Sequence, residues 1–463
     1  MSFKYYIDCI TFNRFITEYM LVILLLACIL FIVISTTKFK LHPFIALLLA
    51  AIGFGLLSGM PLPEIIKSVN GGFGNTIGYI GIVIVAGCII GTFLEESGGA
   101  YIMARQILKL VGEKHVPLAM AFLGYFVSIP VYADSGFVIL SPLNRALSKR
   151  AKISLAGPAI ALSLGLTITH CLVPPTPGPI AAAGILQADI GLVIMVGLVV
   201  STVTVFAAWI FATKFASKVF IDPNPNESEE QIIEKIKEAP SAVNAFIPII
   251  IPLLLIVLKS VSDFPTNPLG TGFGKTFFGF IGEPVIALII GVFFAFRLPQ
   301  KFDRNMLSTT GWVGKALLAS AVIILITGAG GSFGMVLRNS GIADILGSSL
   351  SKINLSIWLP FIIAASLKSA QGSSTVAVIT TASIMAPLMA ILGFDSPLEK
   401  ALVISAIGSG SMVVSHVNDS FFWVVTQMSD MNVKTGYKLH SLGTLVIGLT
   451  AMTMVWILYT VFC

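Results

Sequence analysis

Residues 42–59 read HPFIALLLAAIGFGLLSG and residues 283–298 read EPVIALIIGVFFAFRL, so one apolar unit occurs twice in this chain. The copies stay in step. Gly87, Gly91, Leu94, Ser97, Gly98 and Ala100 meet Gly330, Gly334, Leu337, Ser340, Gly341 and Ala343 at a constant offset of 243, which Pro117 and Pro360 share. After a few inserted residues, His170 in THCLVPP falls opposite His416 in SHVNDS at an offset of 246. Repeats this long in an apolar chain point to a transporter whose substrate site lies where the halves meet, near the bilayer midplane.

Hydrophobic residues make up 56% of the 463 and charged residues 11%, with a mean hydropathy of +0.95; soluble domains carry roughly 25% charged residues. Charge-free runs such as 19–37 and 42–63 are each long enough to cross a hydrocarbon core of about 30 Å as a helix. A lipid-exposed backbone must satisfy its own hydrogen bonds, so the expected fold class is an all-α integral membrane protein. The polar residues 1–18 form an N-terminal extension, and the apolar run after them, which lacks a small-residue cleavage pattern, reads as a retained span. The five cysteines show no metal-ligand spacing and read as buried small hydrophobes. The net charge of +6 requires no nucleic-acid partner.

Basic residues concentrate in cytoplasmic loops, so they test a topology. With the N-terminus outside, spans at about 19–37, 42–59 and 78–94 bring the chain to a cytoplasmic helix bearing Arg105, Lys109 and Lys114. The next segment, 116–147, is broken at Pro130 and has basic residues at both ends, which predicts a re-entrant hairpin with SIPVYADSG (128–136) at its tip. Crossings at about 153–173 and 190–211 complete five, an odd number, so the second copy must be inverted. Its crossings fall at about 245–258, 284–296, 315–337, 398–415 and 439–462, with a hairpin at 356–392. This scheme puts 19 of the 28 Lys and Arg inside and 8 outside, with Lys368 alone within a hairpin. The resulting organisation is a first membrane repeat (19–217), a cytoplasmic linker (218–243) and a second membrane repeat (244–463). The linker stretch DPNPNESEEQIIEKIKEAP (222–240) is polar, with a short helix expected over 229–238. No stretch pairs a nucleophile with a base or forms a phosphate loop, so an enzyme is not expected.

Polar groups at bilayer depth are costly and mark function by default. The first hairpin tip presents Asp134 and Ser135. The second, SLKSAQGSSTVAV (366–378), presents Lys368, Gln371, Gly372, Ser373, Ser374 and Thr375. Hydroxyl residues around a glycine at a helix start expose N–H donors that favour a carboxylate, and Lys368 adds a full positive charge. Two broken helices complete the set: VPPTPGPI after His170, with Pro175, Thr176 and Gly178, and the stretch after His416, with Asn418, Asp419 and Ser420. His170, His416, Asp134 and Asp419 are the candidate proton carriers, histidine because its ordinary pKa of about 6.5 is physiological. Plainer readings stand beside these. Each histidine can simply bond a neighbouring carbonyl, Lys368 can reach an interface, Asp134 and Asp419 can be helix caps, and Glu95 and Glu96 can be a solvated helix end. The glycines at 71, 72, 74, 87, 91, 328, 330, 331 and 334 read as close-packing positions.

With ESGGA (96–100), IPV-x2-D-x-GFVIL (129–140), VPPTPGPIAAAGIL (173–186), LITGAGGSFG (325–334), QGSSTVA (371–377) and SHVNDSFFW (415–423), the chain resembles the gluconate permease family of bacterial proton symporters, within the wider ion transporter superfamily. The resemblance runs from about residue 20 to the end. Family members commonly carry Arg where this chain has Lys368, which keeps the charge and loses the bidentate geometry. They also carry a Phe-Asp-Val-Gly type tip where this chain has Tyr132, Ala133, Asp134, Ser135 and Gly136. The resemblance implies a multi-pass inner-membrane symporter without a cofactor. Its expected substrate is gluconate or a related small hydroxy or amino acid, such as another aldonate, glycerate or D-serine. It further implies a homodimer in which both hairpins and both broken helices move as an elevator against a scaffold formed by the first two spans of each copy. A sodium-coupled dicarboxylate carrier is the alternative within this class; a membrane-embedded enzyme or a non-transporting sensor is the alternative outside it.

Overall fold

The computed structural model describes residues 20–21, 23–36, 38–111, 115–129, 131–223, 239–262, 272–342, 356–416 and 419–463. The N-terminal extension, the linker helix at 229–238, Pro130 and Asn418 lie outside the described residues. Among the described residues the elements are helical, with no strand. The first half holds α1 (Ile23–Thr36), α2 (Pro43–Leu57), α3 (Leu62–Glu96), α4 (Gly99–Val111), α5 (Val116–Val127), α6 (Ala133–Arg150), α7 (Ala156–Leu172), α8 (Pro177–Leu186) and α9 (Ile190–Lys214). The second holds α10 (Ala242–Ser262), α11 (Phe273–Ile281), α12 (Pro284–Ala295), α13 (Trp312–Asn339), α14 (Trp358–Gln371), α15 (Ser374–Met385), α16 (Pro397–Ser411) and α17 (Ser420–Met428), and ends in α18 (Val433–Phe462). Five described helices are long and apolar enough to cross a bilayer, or up to seven if each of two bent pairs counts as one span.

Local sequence explains the boundaries. Pro43 and Pro284, which match in the duplicated motif, both stand at the first helical position, where the missing N–H costs nothing. Helices α3 and α13 end alike: Ser97 and Ser340 cap them, and Gly98 (φ 74°) and Gly341 (φ 76°) follow in the left-handed region. That conformation is close to free only for glycine. A capping box between Ser396 and Glu399 starts α16.

Packing recurs between the halves. Helices α3 and α13 cross each other, with α2 on α13 and α12 on α3. The first hairpin arm α5 lies on α7, and α14 lies on α16; α6 meets α17, and α15 meets α8. Helices α9 and α18 pack together and flank α7 and α16 respectively. Each arm crosses its broken helix where a glycine permits it. A Cβ on Gly165 would sit 2.2 Å from the Ala121 carbonyl oxygen, and one on Gly410 would sit 2.3 Å from that of Phe361. Similarly, a Cβ on Gly72 would lie 2.4 Å from Gly331 O. Gly71 and Gly74 face open space, so close packing does not explain them.

Helices α7 and α8 and, from Ala401 on, α16 are buried almost throughout, whereas α1, α10, α13 and α18 expose large apolar side chains such as Leu26, Leu254, Leu318 and Trp456. A helix that is apolar all round belongs in a core, and exposed apolar flanks suit lipid.

Three expectations change. Helix α3 starts at Leu62 instead of about residue 78, because Gly71, Gly72 and Gly74 are accommodated inside it. The stretch before Pro284 contains α11, whose Phe273, Phe277 and Phe280 are exposed. Arg145, which with Lys149, Arg150 and Lys152 forms the basic end of the 116–147 segment, is buried inside α6. Of the cysteines, Cys28, Cys88 and Cys171 are buried and Cys463 is exposed.

Candidate functional site

The break before α17 brings Asp419 against the second hairpin. Asp419 Oδ1 accepts from the Phe421 N–H at 3.0 Å, which caps α17, so the cap reading holds. Its Oδ2 accepts from Lys368 Nζ at 2.5 Å and from Ser415 Oγ at 2.5 Å. Lys368 sits in the last turn of α14, is 1% exposed, and also donates to the Gly372 carbonyl, so it does not reach an interface. Its charge is therefore matched within the protein, as a buried ammonium requires.

Around this pair lies a cavity of about 320 Å³ lined by Tyr132, Asp134, Thr167, His170, Lys368, Gln371, Ser373, Ser374, Thr375, Ser415, Asp419 and Ser420, among others. The volume is at the small end of ligand sites. Both hairpin tips, the end of α7 and the second helix break contribute. Asp134 stands in the first turn of α6 instead of capping it, is exposed to the cavity, and interacts with Ser420. Ser373 caps α15 through its own hydroxyl, with the Val376 N–H donating at 3.3 Å, so α15 directs its N-terminus at the cavity. The Gln371 amide nitrogen and oxygen and His170 Nδ1 are buried without a hydrogen-bond partner among the described residues. Such groups are costly unless something pairs with them, and all three belong to cavity-lining residues.

The remaining expected residues are placed differently. Pro175 and Thr176 line a small adjoining cleft with Cys88, Tyr132 and His170. The Thr176 hydroxyl is spent on the Val173 carbonyl at 2.5 Å. A Cβ on Gly178 would lie 3.7 Å from the Val378 side chain of α15. Ser135 turns to Glu95, which is half-buried, whereas Glu96 is exposed and pairs with Lys315 at 2.6 Å. His416 donates from Nε2 to the Ser369 carbonyl at 2.8 Å and stacks near Tyr437, the plainer of its two readings. The two symmetry-related histidines thus differ: His170 faces the cavity, and His416 ties the second break to the second hairpin.

Sequence reading missed three features. Arg145 donates to the Met428 carbonyl at 2.6 Å and 3.2 Å, to the Pro223 carbonyl at 3.3 Å and to Asp430 at 2.8 Å, fastening α6 to the end of α17. Tyr132 meets Cys88 Sγ at 3.1 Å and lines the cavity. His440, fully buried in a π turn of α18 at Tyr437–Ser441, contacts Ser415. It is an ionisable residue inside an apolar span, and that was the available signal. The repeat gave none, because offset 246 puts Ile194 opposite it.

Comparison with known proteins groups the chain with membrane permeases. An "Uncharacterized permease" of Haemophilus influenzae is 37% identical, covering 88% of this chain and 86% of its own length. A "Gluconate permease" of Pseudomonas aeruginosa is 34% identical, covering 89% and 92%. The "D-serine transporter DsdX" of Escherichia coli is 31% identical, covering 94% and 97%. Among solved structures, the Alcanivorax borkumensis YdaH transporter superposes with a TM-score of 0.64 at 15% identity over 91% of this chain and 99% of that one, a likeness of fold. The family model described as "GntP family permease" matches residues 19–461, and the chain belongs to that family of membrane permeases.

Proposed function

We propose that this permease takes up gluconate or a related small hydroxy or amino acid across the bacterial inner membrane, driven by protons. The observation that carries this reading is the buried Lys368–Asp419 pair set into a small cavity beside Asp134, His170 and the Gln371 amide, which has no hydrogen-bond partner among the described residues. Lys368 would receive the substrate carboxylate, and Gln371, Ser373, Ser374 and Thr375 its hydroxyl or amino groups. Charge accounting supports the proton. One ammonium and two carboxylates leave the cavity with a formal charge of −1, so an anion enters at low energy only with a compensating cation, which in this reading is a proton taken up by a titratable group of the site. Proton and substrate binding then favour each other, as linkage demands.

The recurring contacts of α2/α12, α3/α13, the hairpins and the broken helices support two inverted repeats, residues 19–217 and 244–463. Alternating access would follow if the hairpins and broken helices moved as an elevator against α2, α3, α12 and α13 in a homodimer.

The test is uptake of radiolabelled gluconate into proteoliposomes, with L-idonate and D-serine as competitors. An acid-outside gradient should drive accumulation, and replacing sodium by choline should change nothing. Loss of uptake in choline would favour the sodium-coupled alternative. Absence of transport with every solute would sink the reading.

A further inference from the structure

We infer that His440, outside the substrate cavity, is the group that holds the coupling proton, with Ser415 as the relay between it and Asp419. This rests on the proton-coupled reading above. His440 Nε2 lies 3.1 Å from Ser415 Oγ, and Nδ1 lies 3.3 Å from Ser163 Oγ of α7. Each hydroxyl has one proton to give. Ser415 spends its proton on Asp419 Oδ2 at 2.5 Å, and Ser163 spends its own on the Ile160 carbonyl at 3.0 Å. Both hydroxyls then stand to accept from the ring, and both ring nitrogens can donate only in the imidazolium form. A neutral ring satisfies the network only if one hydroxyl turns away from its carboxylate or carbonyl. The protonation state of His440 is thereby tied to the hydrogen bonding of Asp419, one of the two carboxylates lining the cavity.

The transfer balances through the hydroxyl. When a proton from the cavity reaches Asp419, Ser415 takes the carboxyl proton and gives its own to the Nε2 lone pair. An O–H bond on Asp419 is exchanged for an N–H bond on His440, and Ser415 is left unchanged. A substrate carboxylate that draws Lys368 toward itself loosens the ammonium's hold on Asp419, and so links substrate arrival to this step. Among the described residues, the charged and titratable groups around His440 are Asp419 at the start of α17, Lys368 on α14, His416 in the break, His170 two turns along α7 from Ser163, and Tyr437 and Lys438 on its own element. Phe421 and Phe422 pack against the ring, with centroids 5.6 Å and 6.1 Å from the imidazole. The π turn supplies the geometry: an extra residue in the helical turn re-aims side chains, and such turns recur at functional sites.

His440→Gln keeps one donor and one acceptor but cannot carry the proton. In proteoliposomes, gluconate or D-serine counterflow without a gradient should stay within about threefold of wild type, while gradient-driven accumulation should fall by at least about tenfold. The dependence of exchange on pH between about 5.5 and 8 should flatten. Ser163→Ala, which removes the acceptor for Nδ1–H and is the milder change, should retain transport and move the midpoint of the pH profile to lower pH. Wild-type accumulation by His440→Gln overturns the inference. If that variant does not fold, an unshifted pH profile in Ser163→Ala overturns it instead. A wild-type protein that ignores the proton gradient sinks the functional reading, and with it this one, before any variant is made.

Discussion

The break between α7 and α8 and the break between α16 and α17 occupy matching places in the two halves, yet they do different chemistry. The first runs through Pro174, Pro175 and Thr176 and keeps its hydroxyl bonded to its own backbone. The second holds Ser415, His416 and Asp419, and reaches out to Lys368, Ser369 and His440. Duplication can supply two equivalent frames, and the divergence of a few side chains then decides which frame carries charge. The first half contributes Asp134 and His170 to the cavity; the buried ion pair belongs wholly to the second.

The sharpest way to break this contrast is to remove the pair. Lys368→Ala leaves Asp419 buried and unpaired, which typically costs about 3–5 kcal/mol. Uptake should fall by at least about a hundredfold while the protein still reaches the membrane. Replacing both partners, Lys368→Met with Asp419→Leu, should recover thermal stability without recovering transport. Full uptake by either variant would show that the cavity does not need the charge.

The frame itself should behave symmetrically. Gly165→Ala and Gly410→Ala each drive a Cβ into a carbonyl oxygen, at 2.2 Å and 2.3 Å. Overpacking of this kind costs about 1–3 kcal/mol. Thermal denaturation in detergent should show similar losses for the two. A loss confined to one would mean that the hairpins are not equivalent in packing.

Next in size is the contrast between the histidines. His170→Gln removes a cavity-facing ring whose Nδ1 has no partner among the described residues, and should weaken substrate binding by about tenfold. His416→Gln keeps a donor for the Ser369 carbonyl and should cost no more than about threefold. Equal losses in a binding isotherm would restore the symmetric reading of the two residues.

These cases show what the sequence made legible. The duplicated motif, with Gly98 and Gly341 in step, and both helix breaks could be read because periodicity and proline chemistry are local. Lys368, Gln371, Ser373, Asp134, His170 and Asp419 could be assigned to one cavity because an ionisable or hydroxylated residue at bilayer depth stands out against apolar neighbours. The pairing of Lys368 with Asp419 was not legible, since it depends on how α14 meets the α16–α17 break across 51 residues of chain. Nor was the burial of Arg145, whose partners are mostly backbone carbonyls, which a sequence cannot mark. His440 was hidden for a third reason: the repeat directs attention to matched positions, and its match is Ile194.

The smallest effect should come from the pair that resembles Lys368–Asp419 only in distance. Lys315 Nζ and Glu96 Oε1 are 2.6 Å apart and join the start of α13 to the end of α3, but their side chains are 58% and 32% exposed. Water solvates each partner when the other is removed, and the long lysine side chain loses entropy when held, so such pairs contribute about 0–1 kcal/mol. Glu96→Gln should leave uptake unchanged and move the melting temperature little, and added salt should erase what difference remains. A large loss of uptake in this variant would mean that the junction of α3 and α13 takes part in the transport cycle, and that burial is not what separates the two ion pairs.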